Sequence, residues 1–167
     1  MERGGTKAQA ETVDMCHFSL HNPDSNSSVK GAMFAKIDDS DRYVIISGFV
    51  DIKPGYTNAV GFYISDGWEV VERTSSYPNG NMSVNPERYI VTWKHSGGTF
   101  EKVEVGFIVP HLPYKGNDGV VIIRLEPEDR RTPPDVCNIS VWVGSDGGYI
   151  PDSSFGDFSL AFPETEK

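Results

Sequence analysis

The stretch Cys137-Asn138-Ile139-Ser140-Val141-Trp142-Val143 decides the fold class. Successive side chains on a β-strand point to opposite faces. Cys137, Ile139, Val141 and Val143 therefore share one apolar face, and Asn138, Ser140 and Trp142 share the other. The same two-residue period recurs on both sides of it. Val44, Ile46, Val50 and Ile52 fall on one face, as do Val60, Phe62 and Ile64 with Tyr63 opposite. Val103, Val105, Phe107 and Val109 oppose Lys102 and Glu104, and Phe158, Leu160 and Phe162 oppose Asp157 and Ser159. Alternation of this kind marks half-buried antiparallel strands. No long segment carries the 3.6-residue period of an amphipathic helix.

Turn chemistry separates the apolar runs. Asp38-Asp39-Ser40-Asp41, Lys53-Pro54-Gly55, Asp66-Gly67, Pro78-Asn79-Gly80, Ser96-Gly97-Gly98, Lys115 to Gly119, Thr132-Pro133-Pro134 and Asp146-Gly147-Gly148 all read as turns. Strands are expected near 13–20, 31–37, 42–52, 59–65, 68–74, 88–95, 100–109, 119–126, 136–143 and 156–162. Asp66-Gly67, between two apolar runs, reads as a type I′ hairpin turn. The expected fold is all-β, a two-sheet antiparallel β-sandwich of jelly-roll-like form with about nine or ten strands. A closed barrel is the competitor. Residues 12–163 form one expected domain, flanked by polar, flexible segments at 1–11 and 164–167.

Composition bounds the function. The 167 residues carry 15 Lys+Arg against 24 Asp+Glu, a net charge of −9. With no basic stretch, a nucleic-acid partner is not expected. No run approaches the length of a membrane helix. Aromatic residues at 11% and a rich β-branched content argue for a packed core rather than disorder. Met1 to Glu11 has no apolar core of a signal peptide. Three Asn-x-Ser sequons, at Asn26, Asn81 and Asn138, lean toward a secreted or cell-surface setting. Cys16 and Cys137 could form a disulfide between the first strand and a late one, or remain two buried thiols.

Catalytic signatures are sparse. The histidines, at 17, 21, 95 and 111, match no zinc spacing, and there is no nucleophile elbow or P-loop. Glycoside hydrolysis needs two acids about 5–9.5 Å apart. Glu101 and Glu104 differ in parity and face opposite ways, while Glu126 and Glu128 flank Pro127 at a strand end. The chain is expected not to be an enzyme.

A binding role fits better. Trp142 is the leading candidate for an exposed ring that stacks on a sugar, with Asn138 and Ser140 beside it to hydrogen-bond hydroxyls and Tyr63 as a second ring. Tyr56, Tyr77, Tyr114 and Tyr149 fall in turn-rich segments, and Trp68 and Trp93 are assigned to the core. Calcium is a possible cofactor on Asp38, Asp39 and Asp41, with Asn117/Asp118 and Asp146/Asp152 as further acidic loops. Asp and Asn also favour turns for backbone reasons alone. The acidic balance and exposed sheet edges would equally suit a protein partner.

The run Gly61-Phe62-Tyr63-Ile64-Ser65-Asp66-Gly67-Trp68-Glu69-Val70-Val71-Glu72-Arg73-Thr74 resembles a segment of bacterial cohesin domains, where a strand ends in a short turn and an apolar-Glu-Val-Val run follows. Val103-Glu104-Val105-Gly106-Phe107-Ile108-Val109-Pro110 is similar to a later cohesin strand that precedes a Gly-rich loop. The resemblance implies a jelly-roll-like sandwich that binds a dockerin-type protein module through one sheet face, without catalysis. The opening strands, the short Ser65-Asp66-Gly67 turn and the region Pro127 to Asp135 depart from that pattern, and no binding residue is carried across. The expectation is a non-catalytic extracellular binding module of a cell-surface or polysaccharide-degrading assembly, taking a protein module or a polysaccharide. A purely structural scaffold domain is the alternative, and a glycoside-active enzyme the third reading.

Overall fold

The computed structural model describes residues 9–54, 58–94, 100–106, 117–145 and 154–164. They form a two-sheet antiparallel β-sandwich of eleven strands: β1 Glu11–Asn22, β2 Ser27–Asp38, β3 Asp41–Ile52, β4 Asn58–Ser65, β5 Trp68–Ser75, β6 Ser83–Val84, β7 Ile90–Lys94, β8 Phe100–Val105, β9 Asn117–Pro127, β10 Val136–Ser145 and β11 Ser154–Ala161. One sheet has the order β1-β2-β3-β9-β5-β6 and the other β11-β10-β4-β8-β7. No helix among the described residues is long and apolar enough to cross a membrane.

Each of the ten expected strands has a counterpart. The eleventh, β6, is two residues long and exposed, too short to show a period. The core lies between the apolar faces that parity assigns. Val44, Ile46, Val50, Ile123 and Leu125 from one sheet meet Val60, Phe62, Ile64, Val103, Ile139 and Val141 from the other. Phe18 bridges the layers, its ring 6.1 Å from Phe62 in an edge contact. Trp68 is buried as expected, stacked 5.4 Å from Phe162, and its Nε1 donates to the Val136 carbonyl at 3.0 Å.

The link at Asp66-Gly67 differs from the expected hairpin. It joins β4 in the five-stranded sheet to β5 in the six-stranded sheet, so it is a corner that carries the chain across the core. Gly67 has φ +84, but Asp66 is not among the residues with positive φ, as a type I′ turn requires. Glu128 N–H donates to the Gly67 carbonyl at 2.9 Å, which fixes the corner. Two apolar runs around a short turn look alike whether the second pairs with the first or crosses to the other layer.

Two long-range ties close the sandwich. Along one side Asp14 accepts from the Ala161 amide at 2.8 Å, joining β1 to β11. At one end the buried Arg42 donates to the Pro134 and Pro163 carbonyls and pairs with Asp135 at 2.8 Å. Its guanidinium also lies over the Phe162 ring.

Both cysteines are free thiols, against the disulfide that is one of the two readings of the sequence. Cys137 is wholly buried, and that burial pushes its thiol up to about 12. Cys16 is half-buried, and its thiol is also raised, by burial first and by the charge of Asp14 second. Each packs as a small apolar side chain in or against the core.

Candidate functional site

Four strands of the five-stranded sheet carry the residues singled out for binding and their nearest neighbours. Alternation turns Tyr63, Asn138, Ser140 and Trp142 away from the core, as expected. Cross-strand register then sets them in rows. One row runs Trp93, Lys102, Tyr63, Ser140, Asp157 across β7, β8, β4, β10 and β11. The next runs Val91, Glu104, Gly61, Trp142, Phe155. Asn138 pairs with Ser159 in a third.

Trp142 is not an exposed platform. It retains only 4% of its surface, and its indole lies across the backbone of Gly61. A Cβ at Gly61 would sit 1.9 Å from the indole Nε1, so only glycine permits this approach. Glu104, in the same row, is 1% exposed and pairs with Lys102 at 2.5 Å. The Lys102 ammonium lies 5.2 Å from the Trp142 ring centre and 5.5 Å from that of Tyr63. The middle of this face is thus a knot of an ion pair and two rings, with Glu104 and Trp142 buried and Lys102 and Tyr63 half-buried. In that setting Lys102–Glu104 gains from low local dielectric and from the negative faces of the rings.

The exposed rings lie to either side of the knot. Phe155, on the edge strand β11 next to Trp142, is 55% exposed. Trp93 on the opposite edge is 49% exposed, which corrects its assignment to the core. An aromatic residue in mid-strand reads as core, but β7 is an edge strand and turns this position outward. Tyr63, Ile64, Ser65, Asn138, Ser140 and Phe155 line an open trough of about 390 Å³. Ser140 Oγ donates to Asp157 Oδ1 at 2.6 Å, Ser159 Oγ donates to Asn138 Oδ1, and the Asn138 amide donates to Ser65 Oγ at 3.1 Å. The structure therefore brings together Tyr63, Asn138 and Ser140, places Trp142 beneath the surface, and adds Phe155 and Asp157.

The remaining expected sites divide. Asp38 and Asp41 face each other across the β2–β3 hairpin, and Asp39 takes φ +57 in its turn. No three His, Cys, Asp or Glu side chains among the described residues, Asp38, Asp39 and Asp41 included, are gathered to hold a metal. Asp118 pairs with Asp51 across β3 and β9. Asp146, Asp152, Tyr56, Tyr114, Tyr149, His95 and His111 lie outside the described residues. Glu101 and Glu104 face opposite sides, as parity required. Glu101 accepts from the Val70 amide at 2.8 Å and pairs with Lys94, whose ammonium it holds above the ordinary range. Glu126 is engaged by Arg124 and Arg130.

The outer face of the six-stranded sheet has a different character. Met15, Phe34 and Ile45 form one row that continues to Arg124 and Glu72. Phe49 pairs with Val120 nearby. Met15 and Phe49 are exposed and the other apolar members half-buried.

No protein-family model matches the chain, and no curated protein sequence matches it. Solved structures are similar to the chain at low identity and low TM-score. The collagen-binding domain of a Staphylococcus aureus adhesin is 9% identical with a TM-score of 0.40, over 71% of this chain and 88% of that one. A cohesin module from a Clostridium perfringens family 33 glycoside hydrolase is 12% identical with a TM-score of 0.34, over 70% and 84%. AvmM, described as catalysing macrocyclisation in alchivemycin A biosynthesis, is 10% identical with a TM-score of 0.35, over 74% and 82%. A cohesin module is therefore among the solved structures to which the chain is distantly similar. At these scores the likeness is one of strand arrangement and says nothing about activity.

Proposed function

We propose that this sandwich is a non-catalytic binding module of an extracellular or cell-surface protein, and that the outer face of its five-stranded sheet binds carbohydrate. The observation that carries the reading is the trough between Tyr63 and Phe155. Its floor and rim present Ser65, Asn138 and Ser140, with Asp157 and Ser159 adjoining. A sugar ring has an apolar C–H face and a rim of hydroxyls. An exposed ring suits the first, and hydroxyl, carboxamide and carboxylate groups suit the second. Strands spaced about 4.8 Å apart place the rings of Tyr63 and Phe155, two strands apart, at a separation of about 10 Å or more. That span accommodates neighbouring units of a glycan rather than a single sugar. Beneath them the Lys102–Glu104–Trp142 knot stiffens the sheet so the polar groups are held in place.

The test is a glycan and polysaccharide screen with the purified chain and its Phe155→Ala variant. Phe155 is exposed, so the variant should keep the wild-type melting temperature and lose about tenfold or more in affinity for any glycan bound. Retained binding in that variant would remove the trough from the account. The apolar row Met15-Phe34-Ile45 favours a second reading, docking of a protein module on the six-stranded sheet. A chain that binds no glycan, but captures a protein partner that Phe34→Ser releases, would establish it.

A further inference from the structure

A separate cleft lies in the segment joining β5 to β7. Tyr77, Asn79, Asn81, Asn85, Arg88 and Tyr89 line it, and it is an open groove of about 610 Å³. None of these residues belongs to the trough of the five-stranded sheet. Tyr77 is buried, and its ring meets that of Tyr89 edge-on at 6.3 Å. The backbone around the cleft is tied down on every side. Ser76 N–H donates to the Val120 carbonyl at 3.0 Å, and Val120 N–H donates to Ser76 Oγ at 2.8 Å. Asn117 Nδ2 donates to the Pro78 carbonyl. Asn85 and Arg73 exchange two bonds, Asn85 N–H to the Arg73 carbonyl at 2.6 Å and Arg73 N–H to Asn85 Oδ1 at 3.0 Å.

Two non-glycine residues of this wall sit in the left-handed region, Asn85 at φ +46 and Tyr89 at φ +69. For asparagine that conformation is tolerable, but for a bulky aromatic residue it is strained. Strain of this kind persists where the surroundings over-determine it, and it collects at ligand sites. Here the Tyr89 carbonyl is held by Gly106 N–H at 3.0 Å on one side, and Ile90 is anchored by Arg73 Nη1 at 3.0 Å on the other. The result sets the Tyr89 ring against Tyr77.

The wall chemistry selects the ligand. Carboxamides offer a donor pair and an acceptor on one plane, which matches adjacent hydroxyls. The Asn81 carboxamide is exposed and makes no hydrogen bond among the described residues. Glu87 and Arg88 cancel in charge, so neither an anion nor a cation is favoured. Tyr77 is buried, so among the lining residues the half-buried Tyr89 ring is the aromatic wall that can meet an apolar ring face. From this geometry we propose that the cleft is a second carbohydrate site, taking a neutral sugar. Like the sheet-face trough it is an open groove, and it stands or falls independently of that trough.

The test is a ¹⁵N-resolved NMR titration of the full chain with neutral monosaccharides and short oligosaccharides that differ in their terminal unit. The expected result is saturable shifts in residues 75–89, and affinity reduced about tenfold or more by Asn81→Ala. That variant removes an exposed side chain and should leave the fold intact. Tyr89→Ala should act in the same direction, and Phe155→Ala should leave this titration unchanged. No shift in residues 75–89 at saturating sugar would overturn the proposal. So would shifts confined to the trough, or full affinity in Asn81→Ala.

Discussion

Replacing Trp142 probes the arrangement most sharply, because the structure turns a surface candidate into a buried one. Burying an indole removes about 150–250 Å² from water. At about 25 cal/mol per Å² that is worth about 4–6 kcal/mol. The indole Nε1 is buried without a hydrogen-bond partner among the described residues, which costs about 1–3 kcal/mol. The net stabilisation is thus about 3 kcal/mol, and Trp142→Ala should lose about that much. Trp142→Phe keeps much of the apolar area and removes the unsatisfied N–H, so it should cost about 1 kcal/mol or less. Urea unfolding with linear extrapolation measures both. A Trp142→Ala variant within about 0.5 kcal/mol of wild type would refute the burial argument. A Phe variant as damaging as the Ala variant would refute the role of the unpaired N–H.

Further outcomes follow from neighbouring features. Gly61→Ala drives a Cβ to within 1.9 Å of the Trp142 Nε1 and should cost about 1–3 kcal/mol. Thermal melts should show that cost shrinking in a Trp142→Ala background, and an undiminished cost would place the clash elsewhere. Arg42→Ala breaks bonds to Pro134, Asp135 and Pro163 and should lose about 2–3 kcal/mol in chemical denaturation; an unaffected midpoint would show that the clamp is dispensable. Cys137 should resist thiol reagents at pH 8 until the chain unfolds, whereas Cys16 should react slowly in the native state. The buried thiol is pushed from its ordinary 9.0 up to about 12, so its protonated form favours the folded state. That contribution is complete below pH 9 and is lost as pH rises toward 12. Stability profiles should therefore fall over that alkaline window and flatten in Cys137→Ala; identical slopes would contradict this.

Much of the fold was legible because strand alternation is local. Parity alone separated Ile139, Val141 and Val143 from Asn138, Ser140 and Trp142, and the structure keeps that division. Parity does not say what lies over the outward face. Trp142 is buried there by the Gly61 backbone and by Lys102, both from other strands, and Glu104 lies in the same cross-strand row. Trp93 was misassigned for the complementary reason, since the position of β7 at a sheet edge is a property of the topology. Asp66-Gly67 shows the same limit, because a tight turn between apolar runs does not reveal which sheet the second run joins. Tyr63, Asn138 and Ser140 each oppose an apolar face of their own strand, which parity shows, but only the register of β4 against β10 brings them together. Phe155 was missed because the apolar run Phe158-Leu160-Phe162 dominated the reading of its strand. The Tyr77–Tyr89 cleft was missed because its walls depend on two left-handed residues that no local pattern marks.

The central claim is that the outer face of the five-stranded sheet binds carbohydrate through the trough flanked by Tyr63 and Phe155. Calorimetric titration of wild type and Phe155→Ala with the strongest glycan from the screen tests it most directly. The expected result is saturable binding by wild type and a loss of about tenfold or more in the variant at equal thermal stability. Equal affinity in the two proteins, or no glycan bound by either, would contradict the claim.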